Sequence, residues 1–282
     1  MQKTSLYADS PLSNTEWDEL DQTVFDHAKK QLVGRRFIDI YGPLGEGVQS
    51  VPTDIYEAPG RGGMSIHGAD SELSNPTRRV NLTIPLLYKD FVLYRRDIQQ
   101  AKTLNSPIDF SASANAAQQC ALVEDDLIFN GAEEFNLKGI MNVKGNLSHI
   151  RSDWMKSGNA FSDVVEARNK LLKMGHTGPF ALVLSPELYA LIHRVHQDTH
   201  VLEIDHVREL MTAGVFQSPM ISGKRGVVLD PGRQNLDLAI ASDFDTAFLD
   251  EENMNYFFRV YESIVLRIKR PTAICTLEDP DE

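Results

Sequence analysis

The chain has 282 residues, 42% of them hydrophobic, which provides for a sizeable core and excludes wholesale disorder. Its 28 Lys and Arg against 40 Asp and Glu leave a net charge of −12, which disfavours a nucleic-acid partner and attracts cations. Cys120 and Cys275 form neither a metal spacing nor a disulfide framework, no apolar run reaches membrane-span length, and Met1 to Leu12 holds no apolar leader, so a cytoplasmic chain with no membrane partner is expected.

Residues 1–14 read as a polar arm. Ser13, Asn14 or Thr15 can cap a helix running to about Val33, with Trp17, Leu20, Val24, Ala28 and Leu32 on one apolar stripe. Next comes Val33-Gly-Arg-Arg-Phe-Ile-Asp-Ile-Tyr-Gly-Pro-Leu-Gly-Glu-Gly-Val-Gln-Ser-Val51. Gly34 is a helix stop. Phe37 to Tyr41 alternates as a strand with Arg36, Ile38 and Ile40 on one face. The glycines that follow fit neither a Rossmann nor a Walker spacing, so no phosphate loop is expected. Ser50 to Tyr56 and Arg79 to Tyr88 read as two strands around a glycine-rich stretch, the second with Val80, Leu82, Ile84, Leu86 and Tyr88 on one side. Such a ribbon is marginal alone and is stable when another subunit pairs with it.

Asp109 or Ser111 starts a long helix that Gly131 ends, with Ala116, Cys120, Val123 and Leu127 in one row and Ala117, Ala121 and Ile128 in the next. Glu124, Asp125 and Asp126 are consecutive and point in different directions, which argues against a carboxylate metal site. Residues 135–225 read as an α/β subdomain, with helices at Asp163 to Met174, from the Ser185 cap, and at Asp205 to Thr212, and a buried strand at Phe180 to Leu184. Val227 to Asp230 and Leu236 to Asp243 are short strands. In the final long strand Phe258, Val260, Ile264, Leu266 and Ile268 share a face opposite Arg259, Ser263, Arg267 and Lys269.

No protease, hydrolase or kinase motif is present. His193, His196 and His200 stand at i, i+3 and i+7 and would share a face of one continuous helix, which a transition metal could use. Asp198-Thr199 ends the helix before His200, so solvated histidines are the plainer reading. A free-standing metal-dependent enzyme built on this cluster stays as an alternative.

The Val33 to Val51 stretch, Gly139-Ile-Met-Asn and the run Phe257-Arg-Val-Tyr-Glu-Ser-Ile-Val-Leu-Arg-Ile-Lys-Arg-Pro-Thr-Ala-Ile-Cys-Thr-Leu277, in that order, resemble encapsulin shell proteins. The resemblance implies an α+β, HK97-type phage-capsid-like fold. Residues 1–48 would form the N-terminal arm, helix and first strand, 49–88 the extended loop, 89–134 with 226–282 a peripheral domain, and 135–225 an axial domain. It implies a shell protein rather than an enzyme, without a cofactor, that self-assembles into a hollow icosahedral nanocompartment. Cargo would be captured through a terminal targeting peptide. A ferritin-like iron oxidase is the cargo class it favours, with iron ions transiting pores, and a dye-decolourising peroxidase is the other. Arg35 and Asp39 match the family's polar cargo-peptide positions, and Ala28, Leu32 and Ile38 would supply apolar wall; a plain intramolecular salt bridge accounts equally for Arg35 or Asp39. Asp198, Thr199 and His200 would line a pore on a symmetry axis. Tyr94 stands where some members stack a flavin on tryptophan, a departure that argues against flavin. A phage or prophage major capsid protein would share the fold, but it packages DNA, for which −12 is awkward.

Overall fold

The computed structural model describes residues 10–57, 62–68, 73–195 and 201–280. Helix α1 (Asn14–Gln31) begins in a capping box: Ser13 Oγ accepts the Glu16 N–H, and the Glu16 carboxylate accepts the Ser13 N–H at 2.6 Å. Trp17, Leu20, Val24, Ala28 and Leu32 are all buried, as the stripe requires. The expected strand from Phe37 is not formed. A single 3₁₀ turn, Gly34–Arg36, replaces its start, and strand β1 is only Ile40–Tyr41. Ile38 is buried while Ile40 and Tyr41 are exposed, so the expected alternation fails. The cause is Asp125, whose carboxylate accepts the N–H groups of both Val33 and Gly34 and winds the chain tightly there. Gly34 is needed for that approach, because a Cβ would meet Ile128 Cδ1 at 2.5 Å.

Strands β2 (Ser50–Ile55) and β3 (Arg78–Thr83) pair antiparallel as a two-stranded ribbon, with no third strand among the described residues. The alternation expected through Tyr88 breaks at Pro85. Ile84 and Pro85 are consecutive buried residues, and the phase flips there. In β4 (Leu86–Tyr94) it is therefore Leu87, Phe91 and Leu93 that are buried, while Leu86 and Tyr88 are exposed. Helices α2 (Arg95–Leu104) and α3 (Ser111–Asn130) follow. Asp109 accepts both the backbone N–H and the hydroxyl of Ser111 just before α3. Val123 is exposed, whereas the rest of its row and the adjacent row are buried. Gly131 ends α3 at φ 74 and opens the small hairpin β5 (Gly131–Ala132) and β6 (Leu137–Lys138); a Cβ at Gly131 would strike the Leu137 carbonyl.

The remaining elements are β7 (Leu147–Ile150), α4 (Asn159–Lys173), β8 (Ala181–Leu184), α5 (Pro186–Leu191), α6 (Glu203–Leu210), β9 (Gly214–Gln217), β10 (Gly226–Leu229), β11 (Leu236–Glu252), β12 (Asn255–Ile268) and β13 (Ile274–Glu278). Two larger sheets result, β1-β11-β12-β4 and β7-β13-β10-β8-β9. Helices α1 and α3 cover one face of the four-stranded sheet, in the larger core. Helices α4, α5 and α6 pack on the five-stranded sheet in a second core. The five-stranded sheet joins the two cores. Val183, Val227 and Ile274 face the larger one, while Leu182, Val228 and Cys275 face the smaller. Burial on both faces explains why β8 and β10 read as continuous apolar runs. Strand β11 extends well past the expected Asp243. Asp243 and Asp245 and the register shifts around Ser242 interrupt its alternation and mask its second half.

Candidate functional site

Arg35, just past the end of α1, is the centre of a buried charge network. Its Nε donates to Glu124 on α3 at 2.8 Å, Nη2 to Glu262 on β12 at 2.6 Å, and Nη1 to Asp243 on β11 at 2.7 Å. The Phe244 ring lies under the guanidinium, 5.3 Å away at its centroid. Glu124 and Glu262 are fully buried, and Asp243 is exposed. Three carboxylates thus converge on one cation. Burial, with the adjacent Glu124 charge, raises Glu262 well above the usual carboxylate range, and burial also raises Glu124. The raised affinity of Glu262 for a proton eases the crowding of two buried carboxylates and a third at the surface around one cation. Burial pushes Asp125 up to about 6, against the pull of the Gly34 and Val33 N–H groups. The Cys120 thiol, one turn before Glu124, is raised by burial and by both glutamates.

Two grooves flank the outer ridge of α1. One, of about 730 Å³, runs between the helix and the Ile108 to Ala114 segment, and the other, of about 380 Å³, between the helix and β11. Asp18 lines both. Glu19 and Asp109 join it in the first, Asp21 and Asp245 in the second, and no lysine or arginine lines either. Phe244 connects the two features, since it lines the second groove and packs on Arg35.

The residues expected to meet a cargo peptide fall into three environments. Arg35 is the network hub. Asp39 is exposed and does not pair with Arg35; its backbone carbonyl accepts the Leu238 N–H at 2.9 Å. Ala28, Leu32 and Ile38 are closed within the chain's own core and line neither groove. Tyr94 is exposed at the end of β4, directly before α2. His193 lies with Nδ1 2.8 Å from the Tyr189 carbonyl and its ring against the Tyr189 ring. His196, Asp198, Thr199 and His200 lie outside the described residues. Among the described residues, no group of three His, Cys, Asp or Glu side chains is placed to hold a metal ion.

Sequence reasoning missed Glu124, Glu262 and Asp243 as partners of Arg35. A signal was present: Glu262 falls between Val260 and Ile264 on the apolar face of β12. A carboxylate in that phase must find a cation or keep its proton.

The fold is that of tailed-phage capsid subunits. A virus-like particle from Pyrococcus furiosus aligns with a TM-score of 0.75 at 21% identity, covering 93% of this chain and 99% of that one. The capsid of Myoviridae phage XM1 aligns with a TM-score of 0.64 at 14% identity, covering 87% and 90%. Residues 3–265 match the family described as "Encapsulating protein for peroxidase". The chain is 46% identical to the Type 1 encapsulin shell protein EncA of Myxococcus xanthus, over 96% of this chain and 95% of that protein. It is 43% identical to a diheme-cytochrome-encapsulin shell fusion protein of Kuenenia stuttgartiensis, over 95% of this chain and 74% of that protein. It is 25% identical to a ferritin-like-encapsulin shell fusion protein of Pyrococcus furiosus, over 69% and 52%. The chain belongs to the encapsulin family and is a shell protein.

Proposed function

We propose that copies of this chain close into a hollow icosahedral shell around a cargo protein, most suitably a ferritin-like iron oxidase, and that iron reaches it through pores between subunits. The observation that carries the cargo reading is the occurrence of relatives in which the shell sequence is fused to a second protein, one of them ferritin-like. A separate cargo would enter by a terminal peptide lying along α1. The open grooves beside that helix support this, as does the link from the second groove through Phe244 to Arg35. Asp39 is exposed and free to meet such a peptide. The loop holding Asp198, Thr199 and His200 would line a pore, where polar groups repeated by symmetry pass ions and exclude proteins.

The test is expression of the chain alone and with a ferritin-like protein, with and without that protein's terminal peptide. Hollow particles by negative-stain microscopy, cargo held only when the peptide is present, and iron retained only in loaded particles are the expected results. A monomer at every concentration overturns the shell. Equal loading without the peptide overturns the capture mode. A peroxidase is the second cargo reading, favoured by the description of the matching family, and haem absorbance in natively purified particles would distinguish it.

A further inference from the structure

Two exposed features at opposite ends of the four-stranded sheet are complementary. The first is the tip of the β11–β12 hairpin. Asp250, Glu251 and Glu252 are consecutive and exposed there, flanked by exposed Leu249 and Met254. Asn253 and Met254 turn the chain with φ of 52 and 62, the double left-handed pair that a two-residue I′ hairpin turn requires. The second position favours glycine, yet it holds a methionine that is 67% exposed. A strained backbone that presents a large apolar side chain to solvent marks a contact point.

The second feature is a groove of about 340 Å³ between the β2–β3 ribbon and the β5–β6 hairpin. Its walls mix apolar side chains, Phe135, Leu137 and Ile268 among them, with uncharged polar ones such as Asn81 and Thr83, and its charged lining is basic: Arg78, Lys138 and Lys144. Among the described residues no carboxylate lines it, in a chain of net charge −12. Lys138 and Lys144 meet no carboxylate among the described residues, and Arg78 makes only a 3.4 Å surface pair with Glu57.

We propose that the acidic tip of one copy docks into the basic groove beneath the ribbon of a second copy. This rests on the shell reading. A chain cannot satisfy itself, because the tip precedes β12 and Ile268 ends it. That strand, at about 3.3 Å per residue, separates the two features by roughly 40 Å. The contact is head-to-tail: each copy offers a tip to one neighbour and a groove to another. Head-to-tail contacts are the kind that close into rings. Acidic side chains meet Lys138 and Lys144, and Met254 and Leu249 meet the apolar part of the lining.

The test is a charge exchange, read by size-exclusion chromatography and negative-stain microscopy. All exchanged residues are exposed, and circular dichroism checks that each variant folds. Asp250→Lys with Glu252→Lys is expected to lower the assembled fraction roughly tenfold, because like charges then face each other. Lys138→Glu with Lys144→Glu is expected to do the same. The four substitutions together restore opposite charges and should recover particles. If either folded pair assembles like the unaltered chain, or if the four together recover nothing, the proposed contact is wrong while the shell stands. If the unaltered chain never forms particles, the shell reading fails and the contact with it.

Discussion

At the residue scale, Arg35 links three elements that the larger core also holds together. It ties Glu124 of α3, Glu262 of β12 and Asp243 of β11 to the end of α1. Arg35→Ala would leave a carboxylate buried without its cation, which costs roughly 3–5 kcal/mol. Urea denaturation should show that loss, so a fall in cargo loading by this variant would not isolate a cargo role. Asp39→Asn is the cleaner probe, because Asp39 is exposed and makes no ion pair among the described residues. It should leave stability within experimental error and reduce peptide-dependent loading, measured by native gel. Asp125 gives a pH prediction. Its proton leaves the unfolded chain near 3.8 and the folded chain near 6, so its contribution is present below pH 4 and lost as pH rises to 6. That is about 3 kcal/mol, and Asp125→Asn should remove this downward slope from the stability profile measured between pH 4 and 7.

At the element scale, the ribbon and the long strands behave differently. The β2–β3 pair has no third strand among the described residues, and most of β3 is exposed. Its amides should exchange within seconds to minutes in isolated protomers and become protected on assembly, whereas β12 should be protected in both states, as hydrogen exchange can determine. Helix α1 was legible in the sequence because it has one wet face and one dry face, and strand β12 because its apolar face, Phe258 to Ile268, is the more deeply buried one along most of its length. Residues 37–41 were not legible. Their conformation is imposed by the Asp125 carboxylate, which is distant in sequence, and no local pattern reports it. The phase flip at Pro85 was missed for a related reason: Ile84 continues one alternation and Leu87 begins another, and both look apolar. In the candidate site, Arg35 was visible through family resemblance, but its partners were not. Consecutive carboxylates on a helix point in different directions, and no local pattern tells that Glu124 and Asp125 turn inward while Asp126 stays exposed.

At the scale of the whole molecule, composition was enough to separate a container from an enzyme only in combination with the resemblance. An acidic chain with no catalytic motif fits many proteins. The ordered match from the arm to the C-terminal strands made the capsid fold the reading to test, and the fold comparison supports it. Because the proposed neighbour contact joins opposite charges, raising salt should shift particles towards protomers, with light scattering falling between about 0.05 and 1 M as the screening length shrinks. Salt-insensitive particles would mean that apolar contacts dominate closure. The five-stranded sheet has a different consequence, for synthesis. Among the described residues its strand β7 pairs only with β13, and β13 is translated long after it. A nascent chain on the ribosome therefore holds an unfinished sheet, with both of its apolar layers waiting, until β13 slots between β7 and β10. A polypeptide stalled before Ile274 would be a client for chaperones and proteases rather than a building block, so truncated copies are kept out of the growing wall.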